Sequence, residues 1–129
     1  MEREINIELK YVEELLKIIR SDISNEELLE RLSDYHENDI AGAFERLDVE
    51  ERKKLYPVLG TERISEIFAY IEDVEEYLGE LELDAAAQVI SHMDSDDAAD
   101  VLEEVDDTTK EKLVSMMDNE SSRDVKLIM

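Results

Sequence analysis

The stretch DSDDAADVLEEVD, Asp94 to Asp106, places seven carboxylates within thirteen residues and no cation among them. Oxygen donors at that density suit a hard divalent cation. Mg²⁺ takes oxygen ligands, keeps several of its waters and often uses only one or two carboxylates directly. With Ala98 as origin on a helical wheel of about 100° per residue, Val101, Leu102 and Val105 share its side. Asp96, Asp100, Glu103 and Glu104 fall opposite. Asp96 and Asp100 stand one turn apart and can reach a single ion or its water shell; Asp97 lies on the flank. These three are the candidate metal-binding residues, and they form half a site. The other half must come from another helix, domain or chain. The plainer alternative is a solvated acidic face with Asp94 or Ser95 capping the helix.

Other chemistries fare worse. An EF-hand started at Asp94 has Ala98 at position 5, Ala99 at the glycine position 6 and Val105 at position 12. His36 and His92 are far apart in sequence, and although His92 could stand one turn before Asp96, it reads as a polar residue at a helix end. No glycine-rich loop offers a phosphate cradle, so no enzymatic role is expected. There is no cysteine, which excludes disulfides, thiolate chemistry and cysteine-ligated zinc. The formal charge is −23, from 37 acids against 14 Lys and Arg. Nucleic acid and anionic membrane surfaces need a basic footprint and are poor partners for such a chain. No apolar run approaches the ~18 residues of a membrane span, so this chain makes no direct membrane insertion.

The acids are unevenly placed. Ile64 through Thr109 holds 16 Asp and Glu and neither Lys nor Arg. A helical chain tuned for solubility alone would mix signs and gain i,i+4 pairs.

The elements that must position these residues follow a repeat. Apolar pairs fall at Ala43–Phe44, Leu55–Tyr56, Ile67–Phe68, Tyr77–Leu78, Val89–Ile90, Val101–Leu102 and Leu113–Val114. The steps between them are 12, 12, 10, 12, 12 and 12. Each pair is closed four residues after its first member by Leu47, Leu59, Ile71, Leu81, Met93, Val105 or Met117. The i, i+3, i+4, i+7 pattern makes one helical stripe. Helices of about eight to ten residues are too short to stand alone and must stack. Asp48, Asp106 and Asp118 follow their stripes where an N-cap for the next helix belongs. Residues 1–22 read as a longer leading helix with Ile5, Leu9, Val12, Leu16 and Ile19 on one face. Ser24 and Glu27 read as a capping box for the next helix, with the stripe Leu28, Leu29, Leu32 and Tyr35. Pro57 predicts a kink or stop near Tyr56, with Gly60 finishing that helix. The expected fold is all-α, a single domain over 1–129: a leading helix, then an α-solenoid of short helices over 24–129.

The residues resemble those of a known family. HENDIAGAFERLDVEERKKLYPVLG, His36 to Gly60, is similar to the family opening HPADIAELLEELPPEER. MDSDDAADVLEEVD, Met93 to Asp106, is similar to MDPDDAADLLEEL. The family is the amino-terminal cytosolic domain of MgtE-type magnesium channels and transporters. The resemblance implies a right-handed helical superhelix that precedes CBS domains and a membrane pore, in a homodimer at the cell membrane. It implies regulation: cytosolic Mg²⁺ bridges the acidic domain to the CBS domains and favours pore closure. By matched position the bridging pair is Asp96 and Asp100, with Asp97 beside them, and Mg²⁺ should bind the isolated domain weakly. The CBS and membrane domains are absent from this chain, which reads as a fragment cut at a domain boundary. The rival reading is an acidic α-solenoid scaffold for a basic helix or peptide, with no metal role. A third is a flagellar-motor-like helical repeat.

Overall fold

The computed structural model describes residues 2–128, and ten helices account for most of them. Side chains before Lys10 lie outside the described residues, so Ile5 and Leu9 of the leading stripe do too. No strand occurs among the described residues, as the absence of period-two alternation predicts. The backbone separates into two compact units, Met1–Gly60 and Thr61–Met129.

The first unit holds α1 (Glu2–Arg20), α2 (Asn25–Leu32), α3 (Glu37–Phe44) and α4 (Val49–Leu59). Helix α1 packs on α3 and on α2, and α2 packs on α4. Val12, Leu15 and Leu16 supply the described core face of α1. Gly42 allows the α1–α3 approach, because a Cβ there would stand 2.9 Å from Val12 Cγ2. Ser24 Oγ accepts from the Glu27 amide at 3.1 Å, which is half of the expected capping box. The Glu27 carboxylate turns forward and accepts from Arg31 at 3.1 Å. The reciprocal box stands at Asp48 and Glu51 instead. Leu28 and Leu32 are buried and Tyr35 is half-buried, whereas Leu29 is exposed.

Pro57 does not stop its helix. Helix α4 runs on to Leu59 and ends at Gly60, whose φ of 83° is the left-handed backbone that favours glycine. The proline removes the donor to the Lys53 carbonyl. Pro57 is exposed, so water can reach this part of the helix, while Leu55, Tyr56 and Leu59 are buried and hold the last turn in place.

The second unit holds α5 (Thr61–Phe68), α6 (Val74–Leu78), α7 (Leu83–His92), α8 (Ser95–Glu104), α9 (Asp107–Met116) and α10 (Asn119–Ile128). Each helix packs mainly on the one two places along: α5 on α7, α7 on α9, α6 on α8 and α8 on α10. That alternation is how short helices bury stripes they cannot bury alone. All seven apolar pairs of the repeat sit on seven successive helices, α3 to α9, and at least one member of each is buried. The single step of ten residues coincides with α6, which is only five residues long.

Candidate functional site

Helix α8 carries the acidic run. Its inner face is Ala98, Ala99 and Leu102, of which Leu102 is fully buried. Ala99 joins the buried face, which the wheel had centred on Ala98, Val101, Leu102 and Val105; Val101 and Val105 are half-buried. The packed face therefore sits slightly toward Ala99. Asp96, Asp97, Asp100, Glu103 and Glu104 are all exposed. Among the described residues, none of the Asp96, Asp97 or Asp100 carboxylates forms a hydrogen bond or ion pair. They are neither spent on local amides nor covered by a neighbouring helix.

The capping pattern sets this helix apart. Asp48, Asp106 and Asp118 each accept from the amide three residues on, at 2.8 Å. At Asp106 and Asp118 the residue three on also donates its hydroxyl: Thr109 Oγ1 at 2.8 Å and Ser121 Oγ at 3.1 Å. Those bonds hold both carboxyls below the usual carboxylate range, the backbone amide contributing most and the hydroxyl next. Asp94 occupies the same place before α8 yet makes no side-chain cap bond. The residue three positions on is Asp97, whose side chain has no hydroxyl to add to a cap as Thr109 and Ser121 do. An acid there does not by itself prevent the amide bond, since Asp48 accepts from the Glu51 amide. The capping role expected of Asp94 is not filled by its side chain. Asp96 and Asp97 still lie in the first turn of α8, where the positive end of the helix favours negative charge.

Asp94, Asp97 and Asp100 line a common hollow of about 420 Å³ in the second unit. Glu66 from α5 and Glu72 from the α5–α6 turn also line it. Phe68, Ile71, Val74, Met93 and Val101 supply apolar lining. Asp96 is not among the lining residues, so the hollow gathers Asp97 with Asp100, and Asp96 faces solvent outside it. His92 also lines the hollow, but from the end of α7. Helix α7 ends at His92 and α8 begins at Ser95, so His92 is not one helical turn before Asp96. Sequence spacing missed Glu66 and Glu72, about 30 residues upstream; only the stacking of short helices brings them here.

The donor chemistry fits part of a hydrated Mg²⁺ site. Among the described residues no group of three or more His, Asp or Glu is placed to hold a metal ion by itself. Outward carboxylates without internal partners can take an ion's waters or one direct bond each, and a second surface must complete the shell.

Stacked short helices with one concentrated carboxylate face define an acidic helical-repeat domain. The family model of the MgtE intracellular N domain matches residues 35–129, and the chain belongs to that family. The chain is also similar to a structure described as the crystal structure of the soluble part of a magnesium transporter, with 24% identity and a TM-score of 0.82. The match covers 94% of this chain and 48% of that one, so this chain spans about half the length of the solved structure. At that identity the likeness shows the fold. No curated protein matches the chain. Among the described residues no helix is long and apolar enough to cross a membrane.

Proposed function

We propose that this chain is the regulatory cytosolic domain of a magnesium transporter, and that Asp96, Asp97 and Asp100 are its contribution to Mg²⁺-dependent contacts with a neighbouring domain. The observation that carries the reading is the unsatisfied state of these carboxylates: exposed, close in sequence on one short helix, and without internal partners among the described residues. The neighbours in this reading are CBS domains of the same polypeptide in a homodimer, with a membrane pore that the contact regulates; membership of the MgtE intracellular N domain family supports it.

The mechanism follows from charge. Like charges at i,i+4 on a helix cost a few tenths of a kcal/mol each, roughly 0.2–0.5. A second acidic surface brought against this one adds more repulsion, so at low Mg²⁺ the two stay apart. A divalent cation shared between them removes that cost and adds bonds that neither surface can make alone. An ion shifts such an equilibrium only by its differential affinity for the joined and separated states, and carboxylates on both sides supply the difference. Isolated, the domain offers half the ligands and binds Mg²⁺ weakly.

The test is the Asp96→Ala/Asp100→Ala variant in the full transporter, read as Mg²⁺ dependence of flux and of protease protection at the domain boundary. The reading expects both responses to move to several-fold higher Mg²⁺. A variant that responds like wild type in both would sink it.

A further inference from the structure

The lining of the acidic hollow exceeds what a hydrated ion can use. An ion inside its water shell gains from Asp94, Asp97, Asp100, Glu66 and Glu72, yet it gains nothing from an apolar floor. That floor includes Met93 and Val101, both half-buried. A long cationic side chain uses both features, because its aliphatic stem covers apolar surface while its charged head meets carboxylates. The hollow's volume of about 420 Å³ is ample for one such side chain. Charge complementarity selects the sign: Ile64 through Thr109 contains no Lys or Arg to occupy the hollow from within that segment. Arginine suits it better than lysine, since its planar fork binds carboxylates two at a time and is more weakly hydrated.

We propose that the hollow lined by Glu72, Asp94, Asp97, Asp100, Met93 and Val101 docks an arginine side chain presented by a partner protein segment, in competition with Mg²⁺ for the same carboxylates. This deepens the reading above and rests on it for the contact role of Asp97 and Asp100. Mg²⁺ then has two effects: it bridges acidic surfaces and it displaces the basic segment.

The probe is a fluorescein-labelled helical peptide with one central arginine flanked by leucines, titrated into the whole chain at low salt without divalent ions. A citrulline peptide, equal in shape and neutral, is the control. The arginine peptide is expected to bind at least tenfold tighter than the citrulline peptide. Glu72→Gln/Asp97→Asn and, separately, Val101→Ser should each weaken it several-fold, with helicity by circular dichroism unchanged. The charge-matched control Asp107→Asn/Glu111→Gln, away from the hollow, should not. Mg²⁺ should release the peptide beyond the effect of ionic-strength-matched NaCl. Equal binding of the two peptides, or equal weakening by the control variant, overturns the proposal. A separate Mg²⁺ titration without peptide, followed by amide shifts, separates the two readings. Shifts at Asp94–Asp100 with no peptide binding overturn the docking alone. Neither shifts nor peptide binding overturns both.

Discussion

Arg20 Nε donates to Glu51 Oε2 at 2.7 Å, and its Nη2 reaches Glu51 Oε1 at 3.3 Å, while that same Oε1 accepts from the Asp48 amide at 3.1 Å. One carboxylate thus closes the capping box of α4 and ties α4 to the end of α1. The Arg20 bond, then the Asp48 amide, hold the Glu51 carboxyl below its usual range. A depressed carboxyl contributes its stability above the unfolded pKa, about 4.3 for Glu, and loses it as pH falls through the lower folded value. Glu51→Gln should therefore lower the thermal midpoint by a few degrees at pH 7 and make little difference near pH 3. Melts across that range, read by circular dichroism, check it.

The caps of α9 and α10 obey the same rule, because the Asp106 and Asp118 carboxyls are also depressed. Asp106→Ala and Asp118→Ala should each lower the thermal midpoint at pH 7, with the loss shrinking below about pH 4, near the unfolded Asp value. Asp94→Ala should behave differently. Its side chain caps nothing, and its removal relieves repulsion with Asp97, so the midpoint should hold or rise.

Arg52 is a buried charge that works as a strut. Its Nη1 donates to the Phe44 carbonyl at 3.2 Å and to the Leu47 carbonyl, which are acceptors at and just past the end of α3. Arg52→Met keeps apolar volume and removes the donors, leaving the Leu47 carbonyl short of a partner, while the Phe44 carbonyl keeps the Leu47 amide at 3.2 Å. The expected loss is about 2 kcal/mol, the scale of one or two buried polar groups deprived of hydrogen bonds. Urea unfolding at pH 7 measures it.

Gly42 tests the α1–α3 contact. Alanine gains helix propensity of about 1 kcal/mol, but its Cβ meets a buried valine methyl at 2.9 Å. Overpacking of that kind costs about 1–3 kcal/mol. Gly42→Val should destabilise clearly. The Val12→Ala/Gly42→Val double variant should lose less stability than the sum of the two single losses, as contacting residues do. A double-mutant cycle by urea unfolding reads this.

The helices were legible because each must show one apolar stripe, and the Ala43–Phe44 to Leu113–Val114 pairs announce them in turn. Even the irregular step of ten marked the five-residue α6. What one stripe cannot show is its partner. The packing of each helix on the one two along is a long-range choice, so Glu66 and Glu72 beside Asp97 and Asp100 were not foreseeable from spacing. Local rules also yielded where burial outweighed them. Fully burying a Leu is worth about 1.5–3 kcal/mol, comparable to the ~3 kcal/mol penalty of an interior proline, and α4 continues through Pro57 to the buried Leu59. The missing Asp94 cap bond was not legible: Asp97 stands three on, but Glu51, equally acidic, stands three on from Asp48, which does cap its helix.

The central claim is that Asp96, Asp97 and Asp100 stand unpaired so that Mg²⁺ can use them. Its most direct test is an amide-shift titration of the chain with MgCl₂ at fixed ionic strength, repeated on Asp96→Asn/Asp97→Asn/Asp100→Asn. The account predicts saturable shifts concentrated between Asp94 and Asp100 in the wild type, at millimolar Mg²⁺, and their loss in the variant. Shifts no larger than those NaCl produces, or shifts that persist in the variant, would contradict it.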